Sequence, residues 1–340
     1  MERVPGFRIV NPTPVPANSA GTVCRVTMTI DLERAADTLR AWALDEDLKQ
    51  RVMSTPALAT MASRVARRYS AGDTAADAIG VAAAAVARGH AASIEYAGES
   101  VRNAELARSE AGVFLELGAA LGKSGLPSTI SFDLSHLGAL VDRDLALNHV
   151  RQLAAITEPY GTGLMISAEG SDRTDLVLDL YDELAAEIPR VGITLQARLH
   201  RTPGDLGRVL RHPGNVRLVK GAFLEPESVA YPRNSVELTA AYLDLASQLI
   251  ISGHSLSLAT HDDELVNTLI ARHGEALKTD AIEFEMLLGL GTGLLDRLRR
   301  DGYRTREYVI FGGEWWLYVL NRIAEHPERA LTALADLNPS

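Results

Sequence analysis

The stretch Val216-Arg-Leu-Val-Lys-Gly-Ala-Phe-Leu-Glu225 joins a short apolar run to two cations and a glycine. The run Val216–Val219 has the length and composition of a strand that is buried on both faces, as strands of parallel sheets are. Gly221 lets the following backbone turn sharply or approach a ligand closely. A cation inside an apolar run needs an anionic partner, because an unpaired buried charge is costly. Arg217 therefore predicts either an internal salt bridge or, together with Lys220 at the strand end, a bound anionic ligand.

Outward from this stretch, short apolar runs alternate with helical patterns through most of the chain. The runs cover residues 93–97, 129–134, 163–168, 192–199, 216–219, 256–260, 282–288 and 306–311. Nearly all are followed by a segment whose apolar residues recur at helical spacing. Eight such pairs predict a (β/α)8 TIM-type barrel over residues 91–330. A doubly wound sheet is the alternative, although no G-x-G-x-x-G motif follows a strand, which disfavours a Rossmann domain.

The residues before the barrel divide into two parts. Residues 1–30 contain Pro12, Pro14 and Pro16, which predict an extended arm. Residues 31–90 carry apolar side chains at helical spacing and predict a helical segment. These helices either cover the barrel or form a subunit interface in a homo-oligomer, and residues 331–340 are expected to be a tail.

Composition and charge exclude several classes of function. The formal charge of -10 argues against nucleic acid and anionic membranes as partners. The single Cys24 argues against a disulfide framework and a CxxC metal site, and fits a reducing cytoplasm. The first residues lack the apolar core of a signal peptide, and no run approaches the ~20 apolar residues of a membrane-spanning helix. We therefore expect a cytoplasmic protein without a transmembrane segment or resident metal.

Polar residues gather where the predicted strands end, which is where (β/α)8 barrels carry their chemistry. In chain order they are Glu99, Asp133, Ser167, Glu169, Gln196, Arg198, Arg217, Lys220, Thr260, His261, Glu283, Glu285 and Tyr308. This density exceeds what barrel packing requires and predicts a ligand site. Glu283 and Glu285 are expected to pair with neighbours or point outward, and Asp262 with Asp263 to cap a helix.

Over about residues 70–330 the chain resembles the proline dehydrogenases. The likeness is carried, in order, by Glu95-Tyr-Ala-Gly-Glu99, Ile130-Ser-Phe-Asp-Leu-Ser-His-Leu-Gly138, Leu195-Gln-Ala-Arg-Leu-His-Arg-Thr202, Arg217-Leu-Val-Lys-Gly-Ala222, Ala259-Thr-His-Asp262, Phe284-Glu-Met-Leu-Leu-Gly289, Tyr308-Val-Ile-Phe-Gly312 and Asn321-Arg-Ile-Ala-Glu325. Each motif is weak alone, but eight in the right order are specific. The resemblance implies a distorted (β/α)8 barrel, non-covalently bound FAD and oxidation of proline to pyrroline-5-carboxylate.

The resemblance also implies which residues hold the cofactor. Arg217 corresponds to the family arginine near the reactive nitrogen of the flavin, where a cation stabilises the reduced anionic ring. The implied cofactor contacts are Gln196, Arg217, Lys220, Gly221, Ala222, Thr260, His261, Arg322 and Glu325. Cations suit phosphates, and amide or imidazole groups suit ring heteroatoms. Arg217, Tyr308 and Arg322 are the implied catalytic residues.

The implied substrate site departs from the family pattern. Its residues are Glu99, Asp133, Ser167, Leu218, Tyr308, Tyr318, Asn321 and Arg322. Asp133 stands where the family has a lysine for the proline carboxylate, and Asn321 stands where it has the first of two arginines. Since charge-assisted hydrogen bonds contribute roughly 1.5–3 kcal/mol each, losing two should weaken carboxylate binding strongly. We therefore predict hydride transfer to flavin from a C–N bond, or oxidation of an N–N bond, in an amine or imino-acid-like substrate other than free proline.

Three alternatives remain beside that prediction. The first is proline dehydrogenase with a rearranged carboxylate site, and the second is a non-catalytic flavin-binding paralogue. The third is a metal-dependent barrel hydrolase that uses His200, His261, Glu169 and Asp262. The electron acceptor of a flavoenzyme would be quinone, oxygen or another carrier, and altered specificity would suit a specialised biosynthetic pathway.

Overall fold

The computed structural model describes residues 18–98 and 100–331, with side chains from residue 31 onward. Eight parallel strands close into a barrel in sequence order. They are β1 Ala91–Tyr96, β2 Ser128–Phe132, β3 Gly163–Ile166, β4 Val191–Gln196, β5 Val216–Val219, β6 Leu256–Ala259, β7 Ile282–Leu287 and β8 Arg304–Phe311. Strand β8 pairs with β1 from Ala91 opposite Arg306 to Tyr96 opposite Phe311. This closure confirms the predicted (β/α)8 fold over the open doubly wound sheet.

Each strand is followed by a helix on the outside of the barrel. These helices are α5 Ala104–Ser124, α6 Arg143–Thr157, α7 Thr174–Glu187, α8 Thr202–Val209, α9 Val236–Ser252, α10 Asp263–His273, α11 Thr292–Arg300 and α12 Trp315–Glu325. Helix α8 is the one that the sequence pattern did not indicate. It has eight residues, with Pro203 in its first turn and two glycines, which is too short for a clear apolar period.

Four helices precede the barrel: α1 Asn18–Ala43, α2 Glu46–Ser54, α3 Pro56–Ala66 and α4 Ala75–Ala87. Because α1 begins at Asn18, the prediction of extended chain to residue 30 is wrong from that point. Within residues 1–30 the last proline is Pro16, and Gly21 inside the helix costs only about 1 kcal/mol. The described residues do not include residues 1–17 of the predicted arm. They also do not include residues 332–340 of the predicted tail.

The helical amino-terminal segment packs against α12. Trp315 and Trp316 of α12 form a hydrophobic cluster with Ala66 and Tyr69. The indole of Trp316 donates a hydrogen bond to the backbone oxygen of Trp42, at 2.9 Å. Within the described residues, these helices therefore support the helix that carries Asn321, Arg322 and Glu325.

The strand residues that face the barrel interior include buried charges that are paired with one another. Arg217 donates to both oxygens of Glu285, at 2.7 and 2.9 Å, and to the hydroxyls of Ser131 and Ser93. Glu283 accepts from Arg306 at 2.6 Å and from Ser257 at 2.7 Å. We call these seven residues the paired layer. The predicted pairing of Glu283 and Glu285 is confirmed, but both side chains point into the barrel.

Candidate active site

The loops after β1, β2 and β3 are tied together by one arginine. Arg173 donates to the hydroxyls of Ser100 (2.6 Å) and Ser135 (3.2 Å) and to Glu169 Oε2 (3.0 Å). The other oxygen of Glu169 accepts from the Ser135 backbone N–H at 3.0 Å. Arg173 and Glu169 together therefore fix three loops at the carboxyl ends of the strands.

Glu95 and Asp133 present carboxyl groups to the interior just above the paired layer. Side chains alternate along a strand, and Ser93 and Ser131, two residues earlier, already point inward to Arg217. The hydroxyl of Ser167 donates to Glu95 Oε2 at 2.9 Å. Among the described residues, no hydrogen bond or ion pair reaches the Asp133 side chain.

Burial makes both carboxyl groups hard to ionise. It raises the pKa of Glu95 to about 7, against the opposing effects of the Ser167 hydroxyl and the Arg217 charge. Burial also raises the pKa of Asp133 well above its usual range, and the negative charges of Glu95 and Glu169 add to the effect. Two neighbouring carboxyls that resist ionisation form a place where a cation is stabilised.

The predicted site cations are paired with carboxylates. Besides the Arg217–Glu285 pair, Lys220 Nζ lies 2.6 Å from Asp262 Oδ2, and Arg322 Nη2 lies 2.9 Å from Glu325 Oε1. Two tyrosines add to this end of the barrel. The guanidinium of Arg217 stacks 4.6 Å from the ring centre of Tyr308, and that of Arg322 lies 5.6 Å from the ring centre of Tyr318.

Three buried polar atoms at the strand ends have no hydrogen-bond partner in the described part of the chain: Gln196 Oε1, Tyr318 Oη and Arg322 Nε. Gln196 is 5% exposed, and its Nε2 already donates to the backbone oxygen of Glu169 at 2.8 Å. Leaving such an atom unpaired costs about 1–3 kcal/mol. A polar ligand that pairs these atoms would recover that cost.

The loop after β5 is shaped for close approach of a ligand. Gly221 has φ +108°, and a Cβ there would lie 2.7 Å from Arg198 Cγ and 3.0 Å from Gln196 Oε1, so a larger residue is excluded. Arg198 donates to the Tyr231 carbonyl at 2.9 and 3.2 Å and also to that of Phe223. Arg198 is a positioning residue whose role the sequence did not reveal, because its partners follow it by 25 and 33 residues.

The end of β6 presents a neutral imidazole. His261 Nε2 accepts from the Leu287 backbone N–H at 2.9 Å, which leaves the hydrogen on Nδ1. Burial, together with the charges of Arg322 and other nearby cations, lowers the pKa of His261 to about 3. Thr260 accepts from the backbone N–H of Asp262, and Asp262 caps α10 by accepting from Leu265 at 3.0 Å. The predicted helix cap at Asp262 is confirmed.

Some predicted site residues lie elsewhere or outside the described chain. Leu218 is fully buried in the hydrophobic core, and because Arg217 points inward, Leu218 points toward the surrounding helices. Its prediction as a substrate contact is wrong. Asn321 is half-buried on α12. Glu99 lies outside the described residues.

The residues proposed for a metal-dependent hydrolase are not brought together. His200 Nε2 lies 2.9 Å from the Glu227 carbonyl oxygen, while His261 is occupied at Leu287. Residues 18–98 and 100–331 contain no group of three or more His, Cys, Asp and Glu side chains that could hold a metal. In the same residues no helix has the length and apolar character needed to span a membrane.

Comparisons of this chain with known proteins agree on one family. A family model described as proline dehydrogenase matches residues 78–320. Proline dehydrogenase 1 of Bacillus subtilis subsp. natto is 31% identical over 276 residues, which cover 80% of this chain and 90% of the relative. The proline dehydrogenase of Deinococcus radiodurans is 32% identical over 274 residues, covering 78% and 87%.

A solved structure shows the same fold. The crystal structure of proline utilization A (PutA) from Bdellovibrio bacteriovorus, inactivated by N-propargylglycine, matches with a TM-score of 0.73 at 18% identity. The match covers 92% of this chain but 38% of the PutA chain. At that identity the likeness supports the barrel architecture and nothing finer.

Proposed function

The chain belongs to the proline dehydrogenase family of FAD-dependent oxidoreductases that act on C–N bonds, and we propose that it oxidises a proline-like cyclic amine. FAD, when bound, would accept one hydride, which carries both electrons, from the carbon beside the nitrogen. The curated relatives are named proline dehydrogenase, which supports proline as substrate better than the different amine predicted from the sequence.

The residues at the strand ends fit FAD. The observation that carries the proposal is the set of buried, unpartnered atoms on Gln196, Tyr318 and Arg322. Of these, Gln196 Oε1 borders Gly221 in the loop after β5. The residues that would hold the cofactor are Gln196, Arg217, Lys220, Gly221, Ala222, Thr260, His261, Arg322 and Glu325. When bound, FAD supplies the two-electron acceptor, whereas the protein binds and orients the substrate.

The side chains around this set offer distinct contacts to a substrate. The Arg322 guanidinium keeps one buried N–H free for an anionic group. Burial raises the pKa of Tyr318 above its ordinary value, so its hydroxyl stays protonated and can donate. Tyr308, held against Arg217, forms part of the wall. Arg322 would thus bind a carboxylate, as proline oxidation requires.

A second candidate is a ring amine without a free carboxylate. It is favoured by Asp133, which puts a carboxyl group where the family pattern has a lysine, and by Asn321, which replaces an arginine. Because Arg322 is already paired with Glu325 at 2.9 Å, a substrate carboxylate would have to share it. Prolinamide has the same ring as proline and lacks the negative charge, so it separates the two candidates.

The test is the visible spectrum of the FAD-loaded protein during anaerobic addition of proline or prolinamide, with product mass measured afterwards. Bleaching by proline, with a ring-imine product two hydrogens lighter, would support proline oxidation. Bleaching by prolinamide alone would support the second candidate. A bound flavin that neither compound, nor pyrrolidine itself, can reduce would contradict the proposed function and favour a non-catalytic flavin-binding protein.

A further inference from the structure

The charged side chains at the strand ends differ in whether they have a partner of opposite charge. Four cations there each have a carboxylate partner within 3.0 Å: Arg173 with Glu169, Arg217 with Glu285, Lys220 with Asp262 and Arg322 with Glu325. Glu95 is bound by one hydroxyl, that of Ser167. Asp133 has no partner within the described ranges. The carboxyl ends of β1 and β2 therefore carry two carboxyl groups that form no ion pair with a described cation.

A separate observation comes from Gln196, which is bonded to Glu169, the residue whose charge acts on both Glu95 and Asp133. Gln196, on β4, is 5% exposed and keeps its Oε1 without a partner, while its amide nitrogen is fixed to the Glu169 backbone. Helix α12 contributes the unpartnered Tyr318 hydroxyl. The charge of Glu95 contributes to the raised pKa of Tyr318, so β1 and α12 face the same space. Glu95, Asp133 and Gln196 offer acceptors, which suit a ligand with N–H donors.

We propose that Glu95 and Asp133 form the subsite for the substrate's amine nitrogen. The carboxylates bind the protonated amine and take one proton from it, which makes a neutral amine. The nitrogen lone pair then forms the C=N bond as the neighbouring carbon loses hydride, and FAD, the oxidant of the proposed function, receives both electrons. The carboxyl proton is released to solvent. This inference rests on the proposed function and adds the group that recognises and deprotonates the amine.

The surroundings of Glu95 suit this role. Ser167 from the end of β3, Arg217 from β5 and Glu285 from β7 face it, as do the charges of Asp133 and Glu169; Tyr318 faces it from α12. Burial raises the pKa of Glu95 to about 7. A carboxyl group with that pKa is ionised in part near neutral pH and is a far better proton acceptor than an exposed glutamate. Binding of an amine cation would favour its ionised form.

The test compares four variants of the FAD-loaded protein: Glu95→Gln, Asp133→Asn, Asp133→Lys and, as control, Asp172→Asn. Asp172 has a 79% exposed side chain in the loop after β3 and is not part of the subsite. Anaerobic flavin reduction by proline and by prolinamide is followed as a function of pH. We expect Glu95→Gln and Asp133→Asn each to slow reduction by at least ~10-fold, without loss of bound FAD. Glu95→Gln should also remove the rise in rate through about pH 7.

Asp133→Lys separates recognition from a purely structural role. It replaces an amine-binding carboxyl group by a cation, so reduction by proline relative to prolinamide should rise by at least ~10-fold, whereas the Asp172→Asn rates should not change. If the wild-type flavin is reduced but the rates, the pH profile and the substrate ratio survive all these substitutions, the amine subsite is wrong and the proposed function stands. If no ring amine reduces the wild-type flavin, the proposed function fails and this inference fails with it.

Discussion

The barrel interior contains two polar regions that differ in whether their groups are satisfied. In the paired layer, Arg217 with Glu285 and Arg306 with Glu283 meet at 2.6–2.9 Å and are completed by serine hydroxyls. The second region, which we call the unpaired rim, consists of Glu95, Asp133, Gln196, Tyr318 and Arg322. Gln196, Tyr318 and Arg322 each keep a buried polar atom without a partner in the described chain. Glu95 is bound by one hydroxyl, and the Asp133 side chain has no hydrogen bond or ion pair among the described residues. We infer that the ion pairs of the layer are mainly structural, with Arg217 also facing the proposed flavin site, and that the rim binds ligands.

The two regions should respond differently to substitution. A buried ion pair contributes little net stability, because desolvation offsets its Coulomb attraction, but removing one partner leaves an uncompensated buried charge. An unpartnered polar atom already carries its desolvation cost, so deleting it should cost the folded protein little. Stability measurements can therefore test the contrast between the two regions.

The largest effect is expected for Arg217→Met in the paired layer. It leaves Glu285, 2% exposed, without its cation, and should lower the free energy of unfolding by about 3–5 kcal/mol. Urea denaturation of the protein without FAD measures this. The double variant Arg217→Met with Glu285→Met should regain most of the loss, because neither charge remains. A single variant within about 1 kcal/mol of the wild type would show that the pair is not what holds this part of the barrel.

The next effect concerns Glu95 and depends on pH. Its pKa in the folded protein is about 7, above the ordinary value of 4.5, so the folded state binds the proton more tightly than the unfolded state. The wild type therefore loses stability as pH rises through about 7, by up to about 3 kcal/mol. Glu95→Gln cannot ionise and should be the more stable protein at about pH 8.5. Urea denaturation at this pH and at about pH 5 measures the difference.

The control for Glu95→Gln is Asp172→Asn, which removes an exposed carboxylate from the same end of the barrel. Its stability should follow the wild-type curve across this pH range. Parallel curves for Glu95→Gln and the wild type would mean that the Glu95 carboxyl group is not strained by burial, and the rim would then lose its distinguishing property.

A smaller effect is expected for Gln196→Met. The protein without FAD should stay within about 1 kcal/mol of the wild type, since the substitution loses one hydrogen bond to Glu169 and removes one unpartnered oxygen. FAD affinity should fall by about 10-fold, the equivalent of about 1.4 kcal/mol. Fluorescence titration with FAD measures the affinity. An unchanged affinity would remove Gln196 from the cofactor site.

The smallest effect is expected for Tyr318→Phe, which should leave the stability of the protein without FAD unchanged within a few tenths of a kcal/mol. The matched substitution is Tyr242→Phe in α9, where the lost hydroxyl donates to the Leu218 carbonyl at 3.0 Å. That variant should lose about 1 kcal/mol. Equal losses for the two variants, measured by urea denaturation, would show that the Tyr318 hydroxyl has a partner in solution.

The fold could be predicted because each barrel strand coincides with a short apolar run that is visible in the local sequence. Strand β5, Val216–Val219, coincides with the apolar run in the sequence, and the other seven runs each overlap a strand. Helix α8 was missed because its Pro203 and glycines interrupt an eight-residue segment. Leu218 was misplaced because similarity of motifs does not show which face of a strand a side chain occupies, whereas the inward direction of its neighbour Arg217 does.

The sequence could predict which residues form the site but not which of them contact one another. The sequence located Asp133, Gln196 and Arg217 at strand ends from their positions after apolar runs. It could not show that Arg217 meets Glu285, 68 residues later, or that Gln196 keeps an oxygen unpaired. Such contacts depend on barrel closure and register, which bring together side chains from distant strands.

The most direct test of the contrast between the two regions is the free energy of unfolding with and without FAD. At a free FAD concentration of 100 times the dissociation constant, the wild type should gain about 2.7 kcal/mol. Gln196→Met at the rim should lose about half of that gain, while Ser257→Ala, which removes a hydroxyl bonded to Glu283 in the paired layer, should keep all of it despite its own lower stability. Equal gains in both variants, or no gain in the wild type, would contradict the assignment of Gln196 at the rim to the flavin site.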